Sequence, residues 1–186
     1  MVPHSWIPQC LRMFGVAQNM IDLIKNSMSQ WTSVLTAGNE ELGEVQIKRG
    51  IFQGDSLSPL LFVVSLIPLS LVLRKVKAGY DLGDKMGVVN HLLFIDNLKL
   101  YGEKENQEDS LIQTVRVVTK EIGMEFGISK REALILKWGK VIQSEGISLL
   151  GDKVIRALNS EDNEGYKYLG VLEADNINHG EMKDKI

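Results

Sequence analysis

Residues 60–73 read LLFVVSLIPLSLVL, and no other stretch restricts the fold as strongly. The run is shorter than the ~20 apolar residues of a membrane-spanning helix, and Pro68 interrupts it. A helix that is apolar all round must be buried, so the run predicts a core helix that the rest of the chain has to cover. Ser56 or Ser58 could cap it and Pro59 suits its first turn, with an end expected near Lys77. A chain of 186 residues is long enough to bury such a helix in one domain.

The cover is legible on both sides of this run. Ile7, Leu11 and Phe14 recur at helical spacing before Gly15, and Met20, Ile21, Ile24, Met28 and Trp31 mark a second helical face. TSVLT and EVQIK flank the turn-rich AGNEELG and predict a hairpin. AGYDLGDKMGVVN reads as a loop. Leu111, Val115, Val118 and Ile122 then form the stripe of an amphipathic helix that stops at Gly123. EALILK, VIRAL and YKYLGVL are short strand candidates. No repeat or linker divides the chain, so the expectation is a single α+β domain.

The formal charge of −3 shows no overall basic excess, although Lys48–Arg49, Arg74–Lys75–Lys77 and Lys130–Arg131 are local basic clusters. The single cysteine, Cys10, can form no intrachain disulfide, and MVPHSWIPQC lacks the basic start and apolar core of a signal peptide. An intracellular chain, nuclear or cytoplasmic and without membrane contact, is the expectation.

The candidate chemistry lies in HLLFIDNLKLYG, residues 91–102. Apolar alternation enters and leaves Asp96–Asn97, and both residues accept turn conformations, so a hairpin with that pair as its connection is expected. The tip is either a plain turn or a carboxylate presented to a hard cation. Mg²⁺ takes oxygen ligands, and paired ions can hold the attacking and leaving oxygens of phosphoryl transfer. Asn97 offers only a neutral carbonyl oxygen, and one carboxylate cannot hold two divalent ions.

Four segments, in order, resemble the reverse transcriptase domain of non-LTR (LINE-type) retroelements. RGIFQGDSLSPLLF (49–62) looks like that family's motif B, HLLFIDNLKLYG like motif C, GMEFGISKREALIL (123–136) like motif D and YKYLGV (166–171) like motif E. The resemblance covers nearly the whole chain. It implies a polymerase palm, an antiparallel sheet packed on helices, with residues 1–48 as a helical segment following motif A and 172–186 as the start of the post-palm region. It implies RNA-directed DNA synthesis, with an RNA template, a DNA primer, dNTPs and Mg²⁺. By the same resemblance Asp96 is a metal ligand and catalytic residue, and Lys130 stands near the leaving pyrophosphate. Phe52, Gln53, Gly54, Phe94 and Asn97 face template or nucleotide, and Tyr168, Leu169 and Gly170 belong to the primer grip.

Two departures from the family pattern set expectations for activity. Asn97 replaces the second aspartate of motif C. The chain opens MVPHSWI, where the family has a sequence like AYDSVPHSWI, so the motif A aspartate and the fingers are not in it. The expectation is a truncated palm, inactive by itself. The rival expectation is a non-catalytic nucleic-acid-binding or protein-interaction module that associates through exposed sheet edges.

Overall fold

A computed structural model describes residues 1–52, 54–83, 87–124, 132–138, 140–142, 144–149, 153–157, 166–168 and 171–173. The architecture is mixed α+β, and the chain forms two compact units, Met1–Phe126 and Gly127–Ile186. In the first unit the elements are α1 (Ile7–Met13), α2 (Gln18–Ser29), β1 (Thr32–Ala37), β2 (Glu40–Gln46), α3 (Ser58–Leu73), β3 (Tyr80–Asp81), β4 (Val88–Val89), β5 (His91–Phe94), β6 (Asn97–Leu100) and α4 (Glu105–Glu121). The second holds β7 (Glu132–Ala133), β8 (Leu136–Lys137), β9 (Lys140–Val141), β10 (Ile147–Leu149), β11 (Lys153–Ala157), β12 (Tyr166–Tyr168) and β13 (Val171–Glu173).

α3 is the spine of the first unit. Its N-terminal half joins Val2, Ile7, Leu11, Ile21 and Met28 through Leu61. Its C-terminal half places Leu69 and Leu73 against Ala78, Leu111 and Val115. The apolar run therefore serves two clusters in series, one closed by α1 and α2, the other by α4. Trp6 fastens α1 to this spine by donating its indole N–H to the Ser65 carbonyl at 2.9 Å. Cys10 lies fully inside this packing, and burial pushes its thiol up to about 11, so it acts as a small apolar side chain.

Several expectations are corrected. α3 ends at Leu73, not near Lys77, and it is not covered all round: Leu60, Val63, Leu71 and Val72 are exposed. Neither Ser56 nor Ser58 caps it. The Asp55 carboxylate accepts from the Ser58 hydroxyl at 2.8 Å and from the Leu57 N–H at 3.3 Å, and these hydrogen bonds, Ser58 first, hold its carboxyl below the usual range. Met20 faces solvent while Ile21 and Met28 are buried. The stretch read as a loop after residue 78 contains the antiparallel pair β3–β4. The first hairpin turns at Gly38–Asn39, shorter than AGNEELG suggested, with a register shift between Leu35 and Thr36, and every residue of its two strands is exposed.

The strand pairings are mostly antiparallel ribbons. β10–β11–β7 is the three-stranded exception, in which β11 runs parallel to β7. EALILK divides into β7 and β8, and YKYLGVL gives the antiparallel pair β12–β13. Among the described residues no helix is long and apolar enough to cross a membrane.

Candidate active site

β5 and β6 pair from His91↔Leu100 to Phe94↔Asn97, so the connection is Ile95–Asp96, one residue earlier than the expected Asp96–Asn97. The shift matters because Ile95 then takes φ 53°, a left-handed conformation that a β-branched residue adopts only under strain. Burial explains the choice: Leu98 and Leu100 pack against the second core cluster, which fixes β6 and leaves Ile95 to make the turn. Ile95→Asn is expected to raise stability by about 0.5–1 kcal/mol, because relief of the backbone strain outweighs the modest burial of this exposed side chain. A urea midpoint that falls instead would remove the strain argument.

The tip presents Phe94, Asp96 and Asn97, all exposed. The Asn97 amide Nδ2–H donates to the Asp96 carboxylate at 3.2 Å, where a second carboxylate would repel it. The base is held differently. Asn90, 7% exposed, donates its Nδ2–H to the Leu73 carbonyl at 2.7 Å, which leaves its Oδ1 to accept from His91 Nδ1–H at 2.7 Å. In a neutral imidazole Nε2 is then the acceptor, and it receives the Ser70 hydroxyl at 2.6 Å. Burial, and secondarily the Arg74 guanidinium, lower the His91 pKa and so favour this neutral form. A continuous hydrogen-bond chain thereby ties the carboxylate-bearing hairpin to α3. No pattern in the sequence announced it, since Ser70 and His91 belong to separate apolar runs.

Phe52 and Gly54 lie in the segment leading into α3. Phe52 is 40% exposed and its ring centroid is 4.6 Å from that of Trp31, which in turn stands edge-on to His4 at 5.2 Å. His4 also bonds through Nε2 to the Gly50 carbonyl at 2.8 Å. Gly54 has φ +92° and no atom within 4 Å of where a Cβ would be, so its value is backbone conformation and open access. Trp31, read as part of the second helical face, and His4, which no pattern singled out, were missed as companions of Phe52. Tyr168 is on β12, opposite Val171, in the second unit. Gln53, Lys130, Leu169 and Gly170 lie outside the described residues.

Among the described residues no group of three His, Cys, Asp or Glu side chains could hold a metal ion. Asp96 alone does not fit a divalent-ion centre, which needs several oxygen ligands.

Comparison with known proteins defines the class. The reverse transcriptase (RNA-dependent DNA polymerase) family matches residues 1–172, and the chain belongs to that family. Among its relatives is the "Retrovirus-related Pol polyprotein from type-1 retrotransposable element R2" of Popillia japonica, 24% identical over 173 residues. That alignment covers 91% of this chain and 28% of the relative. The corresponding type-2 element R2DM polyprotein of Drosophila melanogaster is 25% identical over 175 residues, 90% of this chain and 16% of that protein. The resemblance to non-LTR reverse transcriptases read from the motifs is borne out, and the chain spans less than a third of the length of these two relatives.

Proposed function

We propose that this chain is the palm portion of a retroelement reverse transcriptase, and that it does not polymerise DNA by itself. The observation that carries the reading is the β5–β6 tip: an exposed aspartate held on a strained two-residue turn, within a chain matched to the family over residues 1–172. A rigid hairpin sets a side chain more precisely than a loop does, and phosphoryl transfer depends on positioning and charge. In this reading Asp96 would supply one oxygen to a Mg²⁺ site whose other ligands the described residues do not provide, while Phe94, Asn97 and the segment of Phe52, Gln53 and Gly54 face the template and incoming nucleotide. Lys130 stands by the leaving pyrophosphate, and Tyr168, Leu169 and Gly170 steady the primer. The hydrogen-bond chain from Leu73 to Ser70 keeps the hairpin on α3.

The proposed inactivity follows from charge. One carboxylate with a neutral amide beside it holds a divalent ion weakly, so neither the attacking nor the leaving oxygen is stabilised. Mn²⁺, a paramagnetic substitute, is expected to broaden the NMR signals of residues 94–97 at millimolar concentration, and Asp96→Ala should abolish this. Asn97→Asp should tighten the ion by about tenfold, since a second charge at contact distance contributes on the order of 1–2 kcal/mol even in water. Broadening indifferent to Asp96 would sink the metal-presenting role. Template-dependent dNTP incorporation by the unaltered chain would overturn the inactivity.

A second reading, a non-catalytic interaction module, draws on the first hairpin. Val34, Leu35, Leu42 and Val45 are each between 48% and 66% exposed on strands whose outer edges are unpaired among the described residues. Salt-sensitive RNA binding that ignores Asp96→Ala would favour this reading over the first.

A further inference from the structure

Lys137, Trp138 and Lys140 concentrate three local costs in one small hairpin of the second unit. β8 and β9 pair antiparallel, with Leu136 opposite Val141 and Lys137 opposite Lys140, and the Ile142 N–H extends the ladder to the Ile135 carbonyl at 3.0 Å. Trp138 follows β8 at the connection and is 94% exposed, the most exposed of the chain's large apolar side chains among the described residues. Burying an indole is among the larger gains available to a folding chain, and here it is forgone. Trp138 also has φ 55°, a conformation that Asn, Asp or Gly supply at hairpin turns with far less strain. Lys137 and Lys140, both exposed, are direct cross-strand partners, an arrangement in which like charges repel.

Each choice disfavours the isolated fold, and local rules broken together in this way cluster at functional sites. The ligand chemistry is specified by the three side chains together. A flat, exposed aromatic face takes another π-face, and two ammonium groups beside it take anions. Single-stranded nucleic acid offers both, because its unpaired bases can stack while the neighbouring phosphates meet the lysines. A duplex does not, since its base faces are already stacked.

We infer that the Trp138 hairpin is a docking point for single-stranded nucleic acid, with one base on the indole and flanking phosphates on Lys137 and Lys140. The choice of nucleic acid over other anionic partners rests on the family reading above, whereas the hairpin geometry stands without it. The site lies apart in sequence from Asp96 and from the proposed primer grip, so it would hold a strand whether or not the chain catalyses anything.

The test uses the full chain and a fluorescein-labelled oligouridylate of about 15 nucleotides. Binding should quench tryptophan emission, and Trp138→Ala should weaken it by about tenfold, the loss of a stacked base. Trp138→Phe should retain most of the affinity, because a phenyl ring still stacks. Lys137→Gln with Lys140→Gln should reduce the slope of log affinity against log salt by about 1.4, two phosphate contacts on a single strand. All these positions are exposed, and unchanged circular dichroism confirms folding. Undiminished binding in Trp138→Ala overturns the proposal, and so does equal affinity for a blunt duplex. A blue shift of Trp138 on phosphatidylserine vesicles, without quenching by the oligonucleotide, overturns it in favour of a membrane surface. The Mn²⁺-induced broadening of residues 94–97 should persist in Trp138→Ala, so failure here and failure of the metal-presenting role appear in different measurements.

Discussion

Gly79→Ala is expected to destabilise the first unit by about 2–4 kcal/mol, a large part of what a domain of this size possesses. Gly79 is buried with φ +144°, outside the range of L side chains. A Cβ there would stand 2.6 Å from Val88 Cγ1, 2.9 Å from Asn90 Cβ and 2.9 Å from the Val89 carbonyl oxygen. Two of these atoms belong to the strand end that leads into the candidate active site, and neither can swing aside as the end of a long side chain would. Relief requires moving β4 or Asn90, and moving Asn90 breaks its bond to the Leu73 carbonyl and frees the imidazole of His91. Gly87→Ala supplies the control, since Gly87 has φ +71° but nothing within 4 Å of its Cβ position, so it carries the backbone strain alone, about 1 kcal/mol. Urea unfolding followed by tryptophan emission should separate the two substitutions. Equal midpoints would show that the crowding around Gly79 relaxes freely.

The parts of this structure visible in the sequence are those set by long apolar patterns. The run at 60–73 gave α3, the stripe from Leu111 to Ile122 gave α4, and alternation around residue 96 gave the β5–β6 hairpin. What escaped depends on contacts between distant residues. Turn preference favoured Asp96–Asn97 as the connection, but burial of Leu98 and Leu100 moved it to Ile95–Asp96. The two-residue strands β3 and β4 carry too little pattern to be seen among glycines and charges. Four of α3's apolar residues, Leu60, Val63, Leu71 and Val72, remain exposed, although composition alone could only say that the helix is apolar on every side. Of the candidate site, Asp96, Asn97, Phe94, Phe52 and Gly54 were named from motif resemblance. The Ser70–His91–Asn90 chain was not, because a lone histidine at the start of an apolar strand ordinarily reads as a packing residue.

Leu73→Ala should cost about 2–5 kcal/mol, because its side chain is fully buried at the point where α3 meets α4. The removed atoms leave a cavity bounded by Leu69 on α3, Leu111 and Val115 on α4, and Ala78 in the connection after α3, and the separation of the two helices is set by the other contacts of the same cluster. Leu73→Met, which preserves volume, should cost less than about 1.5 kcal/mol. The effect should not stay in the core, since the Leu73 carbonyl is also the anchor of Asn90. A collapse of the last turn of α3 toward the cavity would lengthen that bond and loosen the base of the hairpin. Leu73→Ala should therefore be non-additive with Ser70→Ala, the coupling reaching about 0.5–3 kcal/mol as for residues sharing one network. A double-mutant cycle in urea measures this term, with Trp6 and Trp31 as reporters in the first unit. A coupling near zero would mean that the hydrogen-bond chain and the core hold the hairpin independently. A substantial coupling would show that the apolar run at 60–73 does more than fill the interior: it sets where Asp96 is presented.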